Sequence, residues 1–79
     1  MSYYADRCRN LASEISATGC QAAILTYWAS VRYLSGFNGS SGVLWVPVVG
    51  NPTLITDFRY DEQAKSEVEE SFDIRIVSG

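Results

Sequence analysis

The amino-acid sequence predicts an α/β fold in which a mixed β-sheet is flanked by helices. Three features lead to this prediction: an amphipathic stretch opens the chain, short apolar runs follow it, and a second helical stretch precedes the last run. Strands and helices that are mixed in this way pack as layers around one core. The 79 residues fit one small domain. Hydrophobic residues make up 47% of the chain and charged residues only 19%, a composition that is typical of a chain that folds.

The first predicted element is an amphipathic helix that runs to about Thr18. Its apolar face is formed by residues that recur at helical spacing: Tyr4, Cys8, Leu11, Ala12 and Ile15. Ser2 is a candidate N-cap, and Gly19 can adopt the left-handed conformation that ends a helix. The helical rise of ~1.5 Å per residue places Cys8 roughly 15 Å from Cys20, too far for a disulfide. Both cysteines are therefore expected to be reduced, with Cys8 in the core.

Three segments follow this helix. Residues 22–27 (AAILTY) form a nearly continuous apolar run, which is typical of a strand covered on both faces. Residues 29–35 are ambiguous, because Val31 and Leu34 are spaced for one short helical turn. Glycines then punctuate residues 36–42, which indicates a loop.

Two β-branched runs at residues 43–49 and 53–56 are separated by a Gly-Asn-Pro turn, a pattern that predicts a β-hairpin. Pro47 has no N–H, so it is expected on an unpaired side of its strand or near a bulge.

Asp57 is a candidate cap for a helical stretch that follows it. One face of that helix is predicted to carry four residues: Tyr60, Ala64, Val68 and Phe72. The last strand, residues 73–77, is expected at or near a sheet edge with nothing after it to cover it. The architecture is therefore expected to be incomplete at its C-terminal end.

Composition argues against several classes of function. The chain contains no histidine, so the commonest general base is missing and no catalytic residue is assigned. Nine acidic residues outnumber six basic ones, which argues against a nucleic-acid partner. No apolar run approaches the ~20 residues of a membrane span, and the first residues do not resemble a signal peptide. No membrane partner and a cytoplasmic location are expected.

Metal and phosphate sites are not expected either. The acidic residues Glu67, Glu69, Glu70 and Asp73 are more simply explained as a solvated helix end than as metal ligands. The glycines of the loop do not follow the G-x-G-x-x-G pattern, and a strand rather than a helix comes next, so the loop is expected to be a structural turn rather than a phosphate cradle. Ser40 and Ser41 have no neighbouring base and are expected to be loop hydroxyls.

Arg59 is the charged residue with the clearest functional interpretation. It lies at the predicted strand-to-helix junction, where functional groups are often presented, and a guanidinium there can bind a ligand carboxylate or carbonyl. The alternative is a surface salt bridge with Asp57 or Glu62. Asp57 and Asp61 could form an acid–base pair, but their position at a helix start fits capping and the helix dipole better.

Three stretches, in the same order, resemble a known family. Residues 32–42 (RYLSGFNGSSG) resemble the RYLTGF-x-GS-x-G segment of Xaa-Pro aminopeptidases and proline dipeptidases. Residues 56–60 (TDFRY), with Gln63 and Ala64, resemble their TD-x-RY…QA segment. Residues 19–25 (GCQAAIL) look like their G-x-DA-x-L first strand, with Gln21 where the family commonly has Asp. Together the resemblance extends from about residue 11 to residue 77.

The resemblance implies that residues 1–79 are a partial N-terminal, non-catalytic domain of a two-domain proline-specific metallopeptidase. In that family an absent C-terminal domain holds divalent manganese, cobalt or zinc and cleaves peptides with proline at the second position, so no cofactor is expected in this chain. The N-terminal domains of the family pack in dimers and help to wall the substrate cleft, which implies a homo-oligomer. The arginine of TD-x-RY contacts substrate in the aminopeptidases, and Arg59 matches it. Asp57 is expected to hold Arg59 in place.

Two alternatives remain open. One is the N-terminal domain of a creatinase-like hydrolase, which shares the two-domain plan but has different chemistry. The other is a stand-alone protein-interaction module that acts by strand addition at its open edge, or through an apolar patch. That patch is expected to contain Tyr3, Tyr4, Trp28 and Trp45.

Overall fold

The computed structural model describes residues 3–77, along which helices and strands are mixed as expected. The elements, in chain order, are α1 (Tyr3–Ala17), β1 (Ala22–Leu25), α2 (Trp28–Ser35), β2 (Val43–Pro47), β3 (Thr53–Asp57), α3 (Asp61–Glu67) and β4 (Asp73–Val77). A 3₁₀ turn, Phe58–Tyr60, joins β3 to α3. The proposed N-cap Ser2 lies outside the described residues.

The strands form one mixed sheet in the order β1-β2-β3-β4. β1 and β2 pair antiparallel, as do β2 and β3, whereas β3 and β4 run parallel. The predicted hairpin is therefore confirmed, and β4 lies at one edge of the sheet that residues 3–77 form, as predicted. Pro47 ends β2 beyond the last β2–β3 pair, and the next amide, of Val48, donates towards β1 at 2.8 Å to Gln21 O. Since amides alternate in direction, the nitrogen of Pro47 faces the unpaired side, as expected.

The helices pack on one face of the sheet. Leu44 and Leu54 are paired across β2 and β3 and are fully buried, and Val46 lies on the same face. The side chains that join them in one core come from the helices and loops: Cys8, Ile15, Val31, Leu34, Phe37, Ala64, Val68 and Phe72. Burial of each large apolar side chain contributes roughly 1.5–3 kcal/mol. Cys8 and Cys20 are free, and Cys8 is buried, as predicted.

The other face of the sheet is open, and this corrects the prediction for β1. Ile24 is 66% exposed, and Trp45, its partner across β2, is 38% exposed. The prediction of a strand covered on both faces is therefore wrong. Within residues 3–77, β1 is an edge strand that has helices on only one of its faces.

The ambiguous segment after β1 forms the eight-residue helix α2 instead of a single turn. α2 ends at Gly36, which has a φ of 80° and donates its amide hydrogen to Arg32 O at 2.8 Å. A Cβ atom at Gly36 would lie 2.9 Å from the ring of Tyr4. The end of α2 is thus packed against α1, and both the backbone and the space favour glycine there.

The helix after Asp57, α3, is shorter than predicted. Ala64, Val68 and Phe72 are all buried, but only Ala64 reaches the core from the helix, so the predicted helix face is wrong beyond Ala64. The helix itself ends at Glu67, and Val68 already has extended backbone dihedrals. Phe72 reaches the core from the turn before β4, where its amide donates to Glu69 O at 3.0 Å.

Candidate functional site

Arg59 lies in the 3₁₀ turn directly after β3, and the Asp57 carboxylate holds it there. Asp57 Oδ1 accepts hydrogen bonds from the backbone N–H of Arg59 at 2.9 Å and from Arg59 Nε at 3.0 Å. Asp57 Oδ2 accepts from Arg59 Nη2 at 2.7 Å. Asp57 therefore caps the 3₁₀ turn rather than the helix α3 that it was predicted to cap, and it binds the guanidinium side-on, in agreement with the expectation that it holds Arg59 in place. The salt bridge with Asp57, given above as the alternative for Arg59, is present.

The ion pair leaves part of the guanidinium available. The Arg59 side chain is 62% exposed, whereas the Asp57 side chain is 21% exposed. The bidentate contact uses the Nε edge, so Nη1 and one hydrogen of Nη2 remain as donors. The hydrogen bond from Arg59 lowers the pKa of Asp57 below its ordinary value, and the same bond raises the pKa of Arg59. Both groups are therefore charged at neutral pH.

Tyr60 connects this turn to the glycine-rich loop. Its hydroxyl shares a hydrogen bond of 2.6 Å with Ser40 Oγ, and its ring meets the ring of Phe37 edge-on at 5.9 Å. The Arg59 guanidinium lies 5.3 Å from the centre of the Tyr60 ring. Thr56 Oγ1 adds a second link by donating to Ser41 O at 2.5 Å. The two segments that carry the resemblance, residues 32–42 and 56–60, thus meet in space.

The glycine-rich loop wraps around a buried ring. Phe37 is only 1% exposed, and a Cβ atom at Gly42 would lie 3.0 Å from it. The amide of Phe37 donates to Ser35 Oγ at 3.2 Å, and that of Asn38 donates to Glu67 Oε1 at 2.7 Å. These two amides are already bonded within the chain, which fits a structural turn better than a phosphate cradle.

Other candidate groups do not converge on a reaction centre. Asp61 is paired with Lys65 Nζ at 3.0 Å and Asp57 with Arg59, so each carboxylate of the possible acid–base pair has its own cation. In the part of the chain that the structure describes, no three His, Cys, Asp or Glu side chains form a group that could hold a metal ion.

The expected aromatic patch is not one surface. Tyr3 and Trp28 are exposed, while Tyr4 packs against the core from the helix side. Trp45 lies on the open face of the sheet, away from the helices. A groove of about 490 Å³ does run between α1 and α2, and Arg7 and Tyr33 are among its lining residues. The Arg59 turn contributes no residue to this groove.

No helix in residues 3–77 is long and apolar enough to cross a membrane.

The sequence also matches the model of a known protein family. The creatinase/prolidase N-terminal domain model aligns with residues 7–79. The chain belongs to this family. The alignment contains both segments that meet at Tyr60, and the mixed α/β sheet agrees with the solved creatinase/prolidase N-terminal domains.

Named relatives are peptidases. The chain is 41% identical over 63 residues to the uncharacterized peptidase YqhT of Bacillus subtilis (strain 168), across 80% of this chain and 17% of that protein. The solved N-terminal domain of the cytoplasmic peptidase PepQ from Mycobacterium tuberculosis H37Rv matches with a TM-score of 0.86 and 37% identity, over 91% of this chain and 55% of that one.

Longer solved peptidases contain the same unit. The Xaa-Pro dipeptidase from Bacillus anthracis matches with a TM-score of 0.86 and 30% identity, over 96% of this chain and 21% of that one. The X-Pro aminopeptidase from Thermotoga maritima MSB8 matches with a TM-score of 0.79 and 36% identity, over 90% and 20%. The chain thus spans between 17% and 55% of the length of these relatives.

Proposed function

We propose that this chain forms the oligomerising and substrate-cleft part of the N-terminal domain of an Xaa-Pro aminopeptidase or dipeptidase, in which Arg59 contacts the peptide. The observation that supports the proposal is the Asp57–Arg59 pair, which fixes one edge of an exposed guanidinium and leaves the other edge available. A guanidinium held in this way binds a carboxylate or carbonyl oxygen at low entropic cost.

The remainder of the proposed protein follows from the family. A catalytic domain outside residues 1–79 would supply manganese, cobalt or zinc and activate water for cleavage before proline. Arg59 would act only by binding and orienting the peptide. A cytoplasmic location is part of the proposal, and the description of PepQ as a cytoplasmic peptidase supports it.

The test uses a longer protein in which the rest of the N-terminal domain and the catalytic region of the family follow this chain. It should hydrolyse Xaa-Pro peptides when manganese, cobalt or zinc is added, and absence of cleavage with all of them would overturn the assignment. Hydrolysis of creatine instead would reassign the chain to a creatinase-like enzyme.

Arg59→Ala in that protein should lower kcat/KM about tenfold or more, as expected for loss of a charge-assisted hydrogen bond. Its melting temperature should change little, because the side chain is largely exposed. Lys65→Ala is a matched control, since Lys65 is equally exposed and also pairs with one carboxylate. A sharp fall in melting temperature with unchanged kinetics per folded molecule would show that Arg59 is structural.

A further inference from the structure

The Arg7 side chain is fixed on the surface between α1 and α2. Its guanidinium carbon lies 4.0 Å from the ring centre of Tyr3 and 4.0 Å from the ring centre of Tyr33, which stabilises the cation. Its Nη1 donates to Tyr33 O at 2.7 Å. This hydrogen bond uses one of the five N–H groups of the guanidinium. Arg7 is therefore held by two rings and by the backbone of α2, and other donors remain available to a ligand.

Arg7 and Arg32 have no carboxylate partner within residues 3–77, whereas Arg9, Arg59 and Lys65 each form an ion pair with an aspartate. Arg32 is exposed on α2, one turn before this helix ends. The whole chain has a net charge of −3. Two unpaired cations on adjacent helices are therefore a local exception to the charge of the chain.

Both arginines line a cavity of about 480 Å³ on this surface. Trp28 also lines it, and no acidic side chain of the described residues is among the lining residues. Glu67 comes near the cavity, but its carboxylate accepts from the amide of Asn38 at 2.7 Å. Glu69 likewise accepts from the amide of Tyr4 at 3.4 Å. The cavity is therefore a cationic site with an aromatic wall.

This cavity continues into the groove between α1 and α2. The two share Arg7, Ala29 and Tyr33 as lining residues, so they form one open trough, which we call the α1–α2 trough. The part away from Arg32 has mainly apolar walls with one acid among them, and its lining residues include Leu11, Leu25, Leu34 and Glu14. The trough thus has a cationic end and an apolar end.

We propose that the α1–α2 trough binds an acidic peptide segment of a partner protein, with carboxylates on Arg7 and Arg32 and adjacent large apolar side chains at the leucine-lined end. A guanidinium binds a carboxylate through two parallel N–H donors, and a fixed guanidinium does so at lower entropic cost. Burial of the apolar side chains adds affinity. Glu14 repels a carboxylate at the apolar end and so sets the direction in which the peptide lies.

The shape and charge of the site favour a peptide over a membrane or a nucleic acid. Anionic membranes and nucleic acids are bound by clusters of several lysines and arginines. Here two arginines line a concave trough in a chain with nine acidic and six basic residues. Side chains of a peptide fit into such a trough, whereas a flat bilayer does not reach its floor.

The inference goes beyond the proposed function, because the trough is separate from the Arg59 turn. Its walls come from α1, β1, α2 and the loop that follows α2, and none of residues 56–60 is among them. The β1 side of the sheet is also opposite to β4 in the strand order. Peptide binding to the trough and cleavage of Xaa-Pro peptides can therefore fail independently.

The probes are two capped peptides, acetyl-Glu-Glu-Leu-Phe-amide and acetyl-Phe-Leu-Glu-Glu-amide, which present the acids in both chain directions. NMR titration of the 79-residue chain should shift the indole N–H signal of Trp28, which lines the trough. The indole signal of Trp45, on the open face of the sheet, should not move. A Kd on the order of 0.1–1 mM is expected for one of the peptides. The same peptides with Gln in place of Glu should bind at least about tenfold more weakly.

Variants of exposed arginines test which cation is used. Arg32→Gln should raise Kd about fivefold or more, whereas Arg75→Gln should leave it unchanged. Arg75 is the matched control because it is also exposed, has no ion pair within residues 3–77 and lies on β4. Arg7→Lys keeps the charge but removes the planar fork, and it should weaken binding too. Circular dichroism checks that each variant is folded.

Several outcomes would overturn the inference. The trough is not a peptide site if neither peptide shifts the Trp28 signal at about 5 mM. Equal affinity of the Gln peptides would show that the carboxylates are not recognised, and equal weakening by Arg75→Gln would show non-specific attraction. Loss of binding in Arg59→Ala would place the peptide at the Arg59 turn. Sedimentation with phosphatidylglycerol vesicles that Arg32→Gln abolishes, without peptide binding, would reassign the surface to a membrane.

Discussion

Gly39→Ala is expected to destabilise the domain through a single clash with Phe37. A Cβ atom at Gly39 would lie 2.6 Å from Phe37 Cε2, and it would be closer still to Phe37 Cζ. The ring is 1% exposed and cannot swing into solvent. Overpacking of this kind costs about 1–3 kcal/mol. Since a domain of this size is stable by roughly 4–12 kcal/mol, the variant should still fold.

Urea unfolding followed by circular dichroism measures the effect as a lower midpoint at an unchanged m-value. A loss of about 2 kcal/mol corresponds to a fall in Tm of roughly 8–16 °C for a domain of this length. Gly42→Ala is the graded comparison, because its Cβ would lie 3.0 Å from the ring and should cost less. The decisive control is Phe37→Leu, which removes the end of the ring.

In the Phe37→Leu background, Gly39→Ala should cost little, so the two substitutions should be strongly non-additive. If Gly39→Ala costs as much there as in the unchanged chain, the clash is not the cause. An unchanged urea midpoint for Gly39→Ala alone would refute the reasoning at its first step.

Two titrations provide further predictions. Asp57 should have a pKa below 3.8 when its carboxyl is followed by NMR, because the hydrogen bond from Arg59 lowers it. Arg59→Ala should bring this pKa back up. An unshifted pKa in both proteins would show that the pair does not persist in solution. Burial, with a smaller effect from Glu69, raises the pKa of Cys8 from 9.0 to about 11. The unfolded thiol therefore loses its proton first, and stability should fall by up to about 2 kcal/mol as pH rises from 9 through 11. Urea midpoints measured across this pH range would test the prediction. If the midpoint of Cys8→Ala falls just as much with rising pH, other groups cause the effect.

The sequence predicted an element well when its apolar pattern repeats over several turns or when clear turn residues bound it. α1 and the β2–β3 hairpin are such elements. β1 was misjudged because an apolar run says nothing about where its strand lies in the sheet, and Ile24 is exposed at the edge. α2 was ambiguous because eight residues hold too few repeats, and its end depends on the contact between Gly36 and Tyr4.

The same distinction applies to the candidate site. Asp57 and Arg59 are two positions apart at a junction, so their contact could be expected from sequence. Ser40 and Tyr60 are far apart in the chain, and their hydrogen bond exists only because β2 and β3 bring the loop back to the turn. Tyr60 was predicted as a helix-face residue, and its hydroxyl gave no local signal of this second contact.

The strand order has a consequence for how the domain is made. In residues 3–77, every strand pairs with the one that precedes or follows it in the sequence. Contacts between near neighbours in sequence close with little loss of entropy and favour fast folding. The sheet can therefore grow during synthesis in the order in which the strands emerge, each new strand docking on the edge left by the previous one. α1 makes a later contact, because the amide of Tyr4 donates to Glu69 Oε1 at 3.4 Å, and this bond forms only after α3 has emerged.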